Sequence, residues 1–182
     1  MTGTQHERME DEMAAGRSVE NELAALAARV RALEDAEAIR RLKARYAERV
    51  DARYGKTGPR PPEELVRLAD EIAALFAENA IWDGGAGLGI CRGRDGIRAR
   101  MAEPTLLFSR HYFVNPQIEL GGDRARARWE LIAPCTMRDG RPAWMAGAED
   151  DEYTRIGGVW LHQSMALSVH FFAPHERGWT RA

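Results

Sequence analysis

Two candidate residues for proton transfer, Asp51 and Tyr46, lie on one predicted helix over residues 33–51, and a third, His111, follows later in the chain. Asp51 ends this helix on the face that its apolar residues turn inward, whereas Lys43 is assigned to the outward face. A carboxylate at an inward position costs several kcal/mol, in order of magnitude, unless a partner holds it. The sequence therefore predicts a partner for Asp51 elsewhere in the chain.

His111 is the third of these residues and the candidate partner. It lies in an alternating segment, residues 108–120, that is typical of a strand. If Asp51 accepts a hydrogen bond from one ring nitrogen, it fixes the tautomer and leaves the other nitrogen free to take a proton. A neutral imidazole held in this way is a natural base near neutral pH. The alternatives are a hydrogen-bonded core histidine and a solvent-facing Asp51 beside Arg53.

Tyr46 precedes Asp51 by five residues, which is about 140° around a helix and about 7.5 Å along it. It can therefore reach the same cavity from the next turn of the helix. There its hydroxyl would protonate a leaving group or hydrogen-bond a substrate carbonyl. Core packing with a satisfied hydroxyl is the alternative. One Asp and one His do not make a metal site, which needs a third ligand at a defined spacing, so no metal is predicted.

The elements around these residues predict an α+β fold. In the first part of the chain apolar residues recur at helical spacing, over residues 18–33, 33–51, 63–78 and 96–102. The period then changes to two, and turns separate strands predicted at residues 108–120, 124–137, 143–156 and 159–172. Helices followed by hairpins are typical of helices that cover one face of a curved, mostly antiparallel sheet. Such a sheet leaves an apolar mouth that suits a small molecule.

The first 34 residues are predicted to lie outside this domain, which we assign to residues 35–182. Residues 1–17 are polar and are predicted to be flexible. Residues 18–34 form a helix whose apolar residues step by four and three residues, as in a heptad repeat: Val19, Leu23, Leu26, Val30 and Leu33. We interpret this helix as a packing or oligomerisation element of a homodimer or homotrimer, with a ligand-binding element as the alternative.

Composition limits the class of protein. The 182 residues are 45% hydrophobic and 30% charged, enough for one core, and the formal net charge of -2 gives no reason to expect a nucleic-acid partner. The first residues lack the apolar core of a signal peptide, and no apolar run reaches the roughly 20 residues that span a bilayer. We therefore expect a cytoplasmic protein without membrane contact. Cys91 and Cys135 are interpreted as free, buried thiols.

Four segments taken together resemble a known family. They read LEDAEAIRRLKARYAERVD; LFAENAIWDGG followed by CRGRDGIRARM; SRHYFVNPQIELGGDRARARW; and EDDEYTRIGGVW. Their order and spacing resemble the SnoaL-like branch of the nuclear transport factor 2-like superfamily, within it lyases of the scytalone dehydratase and bile-acid 7α-dehydratase type. The resemblance covers residues 33–172. It implies a cone-shaped fold of about three helices on a curved sheet, to which this chain adds an N-terminal helix.

The same resemblance implies site residues. Lyases of this branch use an Asp-His pair and no cofactor; the helix Asp matches Asp51 and the strand His matches His111. A tyrosine five residues before the Asp in one of them matches Tyr46. Where some members place an arginine on the last strand, this sequence has none between residues 160 and 172. His170 is then the candidate for a second acid or base.

We therefore expect a cofactor-independent dehydratase, a carbon–oxygen lyase that removes water from a hydroxylated, apolar polycyclic or steroid-like substrate. An isomerase or cyclase that uses the same pair, and a non-catalytic small-molecule-binding protein, are the alternatives. The predicted substrate-binding side chains are Trp82, Phe113, Trp129 and Met145. His162 is assigned to solvent or an interface. The acidic run 149–152 is assigned to a solvated strand end, with Glu149, on the face of Met145, as an exception to consider.

Overall fold

The computed structural model describes the backbone of residues 3–177 and the side chains of residues 16–176. The chain divides into two compact units, Met1–Glu37 and Ala38–Ala182. Helix α1 spans Gly3–Asp51. The sequence predicted a first helix from residue 18 and a restart near residue 35, whereas α1 is helical from Gly3 without a break. The predicted flexibility of residues 1–17 falls partly outside the described residues and stays a prediction.

In the first unit, the heptad-like stripe of α1 is exposed. Each of its five apolar side chains is more than half exposed: Val19, Leu23, Leu26, Val30 and Leu33. Large apolar side chains in this arrangement mark a surface that associates with another one. The homo-oligomer predicted from this stripe stays a prediction.

The helices of the second unit frame the site. Helix α2 spans Pro62–Ala73, α3 is a single turn at Gly85–Leu88, and α4 spans Gly93–Met101. Proline at the first position and acidic residues in the first turn favour the start of α2. The sequence predicted that this helix continues to residue 78, but it ends before Phe76, which begins a strand. An apolar pair such as Leu75 and Phe76 is compatible with a helix and with a strand. Phe76 is in a strand because it pairs with β7.

Within residues 3–177, seven strands form one sheet: β1 Phe76–Asp83, β2 Ile90–Arg92, β3 Phe108–Ser109, β4 Tyr112–Gly121, β5 Arg124–Thr136, β6 Pro142–Ile156 and β7 Val159–Pro174. A 3₁₀ turn, His175–Arg177, follows. The strand order is β2-β1-β7-β6-β5-β3, and β4 also pairs with β5. Strands β1 and β7 run parallel, and the other pairs are antiparallel. This confirms the predicted α+β class and mostly antiparallel sheet.

The C-terminal part of α1, from Ile39 to Asp51, is the centre of the core. Ile39, Leu42, Tyr46 and Val50 are all buried. Tyr46 and Val50 pack in a cluster with residues of α2, β1 and α4, while Ile39 and Leu42 pack in a second cluster with residues of β5, β6 and β7. The inward face predicted from the helical spacing is therefore the one that the structure buries, and Asp51 follows directly after it.

His111 lies in a break between two strands, not within the single strand that the sequence predicted. Strand β3 ends at Ser109 and β4 begins at Tyr112. The backbone N–H of His111 donates to both carboxylate oxygens of Asp51, at 3.1 Å each. In a regular strand the backbone N–H of His111 would donate to a carbonyl of the neighbouring strand, but here it is used by Asp51. The carboxylate therefore accounts for the interruption, and it positions His111 through the main chain as well as through the ring.

Neither cysteine is in a disulfide: Cys91 is partly buried and Cys135 is buried. In the part of the chain described, no helix combines the length and the apolar character needed to cross a membrane.

Candidate active site

Asp51 and His111 form the predicted pair. His111 Nδ1 lies 2.7 Å from Asp51 Oδ1. Because the carboxylate accepts hydrogen bonds, Nδ1 carries the proton and Nε2 is left as the free ring nitrogen. Asp51 is 7% exposed, and the exposed Arg110 stands 3.8 Å from its other oxygen. The carboxylate is thus held by three hydrogen-bond contacts from one residue and by a nearby cation, which offsets the cost of its burial.

A cavity of about 560 Å³ opens beside this pair. Its volume lies within the range of about 300–1,000 Å³ that is usual for small-molecule sites. The wall is largely apolar and includes Val50, Leu131, Ala133, Met145, Leu167, Val169 and Phe172. Its polar groups include His111, Tyr46, Arg53 and Glu149. An apolar wall with a few convergent polar groups binds a mostly apolar molecule and fixes its orientation at those groups.

Tyr46 lines this cavity, as the sequence predicted, together with Trp82. The indole N–H of Trp82 donates to the hydroxyl oxygen of Tyr46 at 3.0 Å. The phenol can still donate its own proton, so it can offer a hydrogen bond to a ligand oxygen. Burial, and next the negative charge of Glu149, raise the pKa of Tyr46 well above its ordinary value. Tyr46 is therefore suited to hydrogen-bond a carbonyl rather than to give up its proton.

Arg53 is a cavity residue that the sequence reasoning missed. It follows α1 by two residues, is 8% exposed, and donates to the backbone carbonyls of Val50 at 2.9 Å and Met101 at 3.1 Å. Burial lowers the pKa of Arg53 from its ordinary value, but an arginine remains a cation at neutral pH. The family resemblance placed an arginine on the last strand. This guanidinium instead comes from the loop after the helix, where periodicity gives no signal.

A buried ionic cluster was also missed. The ammonium of Lys43 lies 2.5 Å from Glu149 Oε2 and 2.7 Å from Asp151 Oδ2. Lys43 is 1% exposed, which corrects the outward assignment. Lys43, Tyr46 and Val50 follow the spacing i, i+3, i+7 of one helix face, but a lysine on that face can also extend to water, so the spacing alone is compatible with either position. We call Lys43, Glu149 and Asp151 the buried triad.

Two predictions about the last strand are corrected. His170, predicted to be a catalytic acid or base, is exposed and is not part of the cavity wall. His162, assigned to solvent or an interface, is 0% exposed. The pairing of β6 with β7 shifts twice: Ala146 pairs with Phe171 but Gly147 with Val169, and Glu152 pairs with Ser164 but Tyr153 with His162. Each bulge inserts one residue, so it exchanges the faces that simple alternation assigns.

Of the four predicted substrate-binding residues, two line the cavity and two do not. Trp82 and Met145 line the cavity. Phe113 lies beside it, with its ring stacked on that of His111 at 6.1 Å between centroids. Trp129 is not in the cavity wall: it is 4% exposed in the second core cluster, where its indole N–H donates to the hydroxyl of Tyr153 at 3.0 Å. Trp129 alternates onto the same face of β5 as Leu131 and Ala133, which line the cavity, but it packs in the core instead. Its predicted role is therefore corrected to core packing.

Replacing His162 by Leu is expected to stabilise the protein by about 1 kcal/mol and to reduce its sensitivity to acid. Both ring nitrogens lack a hydrogen-bond partner among the described residues, and such groups destabilise the folded state. Burial, and next the charges of Lys43 and Arg45, lower the pKa of His162 well below 6.5. Below that pH the unfolded chain binds a proton that the folded chain does not, so stability falls as the pH falls.

Urea denaturation over a pH series measures this effect, with His170→Leu on the same strand as the matched control. Wild type and the control are expected to lose stability in parallel as the pH falls, and His162→Leu to lose less. An identical pH dependence in all three proteins would contradict the assignment.

Within the described side chains, no three His, Cys, Asp or Glu residues are grouped so as to hold a metal ion. Positive charge in the cavity wall comes from protein side chains, which include Arg53 and Arg100. Guanidinium groups suit oxygen atoms that carry negative charge.

Comparison with solved structures shows the same fold repeatedly. A hexachlorocyclohexane dehydrochlorinase, LinA type 2, aligns with a TM-score of 0.66 and 20% identity over 82% of this chain and 94% of its own. A candidate scytalone dehydratase from Novosphingobium aromaticivorans aligns with a TM-score of 0.64 and 19% identity over 82% and 91%. A protein with a cystatin-like fold from the same organism, related to nuclear transport factor 2, gives 0.64 and 24% over 80% and 88%. At these identities the likeness concerns the fold.

A search among curated proteins gives no significant match. The family model of the SnoaL-like domain, by contrast, matches residues 31–166, from the second half of α1 into β7. This range contains Tyr46, Asp51 and His111. The match spans well over half of the chain and agrees with the alignments to solved structures, so this protein belongs to the SnoaL-like domain family.

Proposed function

We propose that this protein is a small-molecule lyase that uses His111 as its base. The observation that carries the proposal is the 2.7 Å contact between Asp51 and His111 at the wall of a largely apolar cavity. The names of two solved structures with this fold, a dehydrochlorinase and a candidate scytalone dehydratase, support the same reaction class, because both name eliminations.

The reaction that fits these groups is removal of water next to a carbonyl. His111 Nε2 takes the proton from the carbon beside the carbonyl, and the Asp51 carboxylate stabilises the imidazolium that forms. Negative charge then develops on the carbonyl oxygen. The Tyr46 hydroxyl and the Arg53 guanidinium line the same cavity and are suited to stabilise it. The apolar wall excludes water and so strengthens these interactions.

The cavity also supports the substrate class. Its volume of about 560 Å³ and its apolar wall suit a fused-ring or steroid-like molecule with few polar groups. We propose a hydroxylated compound of this kind as the substrate of a dehydratase that needs no cofactor. The polar groups of the cavity wall available to this substrate include His111, Tyr46, Arg53 and Glu149.

Turnover of a panel of such compounds tests the proposal. Purified protein is incubated with β-hydroxy ketones built on sterol, bile-acid and aromatic polyketide frameworks, and products are identified by mass. Loss of one water in the presence of wild type, and about 10³-fold slower loss with His111→Ala, is the expected result. His170→Ala, which changes an exposed histidine, is the matched control.

Each other outcome points to a different function. Products of unchanged mass would indicate an isomerase or cyclase that begins with the same proton removal. Binding without turnover, detected by a shift in thermal unfolding, would indicate a small-molecule-binding protein. Equal turnover by His111→Ala and wild type would contradict the role of the Asp51–His111 pair.

A further inference from the structure

Glu149 gives the cavity a second titratable group. It lies on β6, is 6% exposed, and belongs to the cavity wall. Of the three members of the buried triad, it is the one that lines the cavity. Its oxygen Oε2 is fixed by the hydrogen bond from Lys43 Nζ, so the carboxyl group is held in place before any ligand enters.

The charge of the buried triad favours one additional proton. Two carboxylates and one ammonium leave a net charge of −1 in a buried place, and a buried net charge is neutralised at low cost by binding a proton. Burial raises the pKa of Asp151 to about 6, against the opposing effect of Lys43. Lys43 Nζ bridges both carboxyl groups, so a proton held by one can be exchanged with the other through it.

The triad is also close to the base. The rings of Phe113 and His111 are stacked, with 6.1 Å between their centroids. The ammonium of Lys43 lies 4.1 Å from the centroid of the same Phe113 ring. One aromatic ring therefore separates the imidazole from the triad. Both His111 and Glu149 face the same cavity, which is the arrangement that an elimination requires when a base and an acid act on neighbouring carbon atoms.

We propose that Glu149 is the acid of this cavity, which protonates the leaving hydroxyl while His111 removes the proton from the neighbouring carbon. The inference rests on the proposed function and deepens it. The C–H bond breaks and its electron pair forms the new C=C bond. The C–O bond breaks, and its electron pair leaves with oxygen, which takes the proton of Glu149 and departs as water. One proton passes from the imidazolium back to the triad, directly or through solvent, and restores both groups.

Lys43 and Asp151 are positioning residues in this proposal. They do not touch the substrate: Lys43 fixes the orientation of Glu149, and Asp151 shares the same ammonium. The titratable groups that face the triad come from three elements of the chain: Tyr46 of α1, Tyr153 of β6 and His162 of β7. Tyr153 donates to Asp151 Oδ2 at 2.7 Å, which leaves Oδ1 of Asp151 without a hydrogen-bond partner among the described residues.

A pair of substrates that differ only in the leaving group tests the proposal. One is a β-hydroxy ketone on a fused-ring framework, and the other is its methanesulfonate ester, whose leaving group departs as an anion and needs no proton. Glu149→Gln is expected to slow elimination of the alcohol about 10²- to 10³-fold and to leave elimination of the ester within about threefold of wild type. His111→Ala is expected to slow both. Glu152→Gln, the same change at an exposed position of β6, is the control and is expected to slow neither.

The pH profile gives a readout that a merely structural role would not move. Elimination of the alcohol is expected to fall as the pH rises and the triad loses its proton, whereas elimination of the ester is not. Asp151→Asn removes the negative charge that favours the proton, so it is expected to shift the falling limb for the alcohol to lower pH. Circular dichroism and thermal unfolding establish that the variants are folded.

The outcomes separate this proposal from the proposed function. If wild type eliminates the ester but not the alcohol, or if Glu149→Gln slows both substrates equally, His111 keeps its role and the proposal for Glu149 is overturned. If wild type eliminates neither substrate and none of the panel compounds, the proposed lyase function fails and the role of Glu149 fails with it.

Discussion

Replacing Asp51 by Asn is expected to lower the elimination rate about 10³- to 10⁴-fold in a protein that remains folded. Asn has nearly the shape of Asp but only one acceptor oxygen, whereas Asp51 accepts from both the backbone N–H and the ring Nδ1 of His111. The amide NH₂ that replaces the second oxygen faces one of these donors. The imidazole then loses its fixed tautomer, and the imidazolium formed during the reaction loses the negative charge beside it.

The measurement is kcat and KM with a compound that wild type dehydrates. Because Asp51 acts on the base and is not expected to touch the substrate, kcat should fall while KM changes little. Asp70→Asn is the matched control: Asp70 lies on α2, is exposed and accepts from Arg98 at the surface. Its loss should leave turnover unchanged. A rate for Asp51→Asn within tenfold of wild type, in a folded protein, would show that the carboxylate does not orient the base.

Lys43→Met is expected to destabilise the protein by about 3–5 kcal/mol at neutral pH, the usual effect of removing one partner from a buried ion pair. Methionine fills a similar volume, but it leaves Glu149 and Asp151 buried without a cation. The ring of Phe113, 4.1 Å from the ammonium, also loses a cation–π contact. Denaturation by urea at fixed pH measures the difference, and Lys56→Met, at an exposed position of the loop after α1, is the control.

The sign of the pH dependence distinguishes this mechanism from a general packing defect. In wild type the pKa of Asp151 is already raised from 3.8 to about 6 by burial. The folded state therefore binds more protons than the unfolded state between these values, and Asp151 contributes a loss of stability as the pH rises through that window. Lys43 lowers the pKa of Asp151 against the effect of burial. Without Lys43 the Asp151 carboxyl group should hold its proton more tightly, so Lys43→Met should regain stability relative to wild type as the pH falls.

A triple variant completes this test. Lys43→Met combined with Glu149→Gln and Asp151→Asn removes all three charges, so it should recover most of the stability that Lys43→Met loses. If the single variant is as stable as wild type, or if the triple variant recovers nothing, the buried triad does not behave as a set of coupled charges.

Much of the site could be predicted because its signals are local. Helical spacing identified the face that ends in Asp51, and the alternation of residues after position 108 brought His111 to the sheet. The need of a buried carboxylate for a partner then joined the two residues. Predictions from the same local patterns were wrong where the strands depart from regular pairing. Simple alternation puts His162 and His170 on one face of β7, but the bulges of this strand leave His162 buried and His170 exposed. The interrupted strand at His111 followed from the bond to Asp51.

The α+β class, the SnoaL-like family and the pairing of Asp51 with His111 could all be predicted from the amino-acid sequence. Each of these depends on periodicity, residue order or the chemistry of two side chains. The burial of Lys43 and the place of Arg53 in the cavity wall became visible only in the folded chain. A lysine on a helix is stable in water or beside carboxylates, and the sequence near residue 43 is compatible with both. The carboxylates that stabilise the buried ammonium, those of Glu149 and Asp151, lie more than a hundred residues away on β6. The free energy of burying the charge of Lys43 depends on these distant partners.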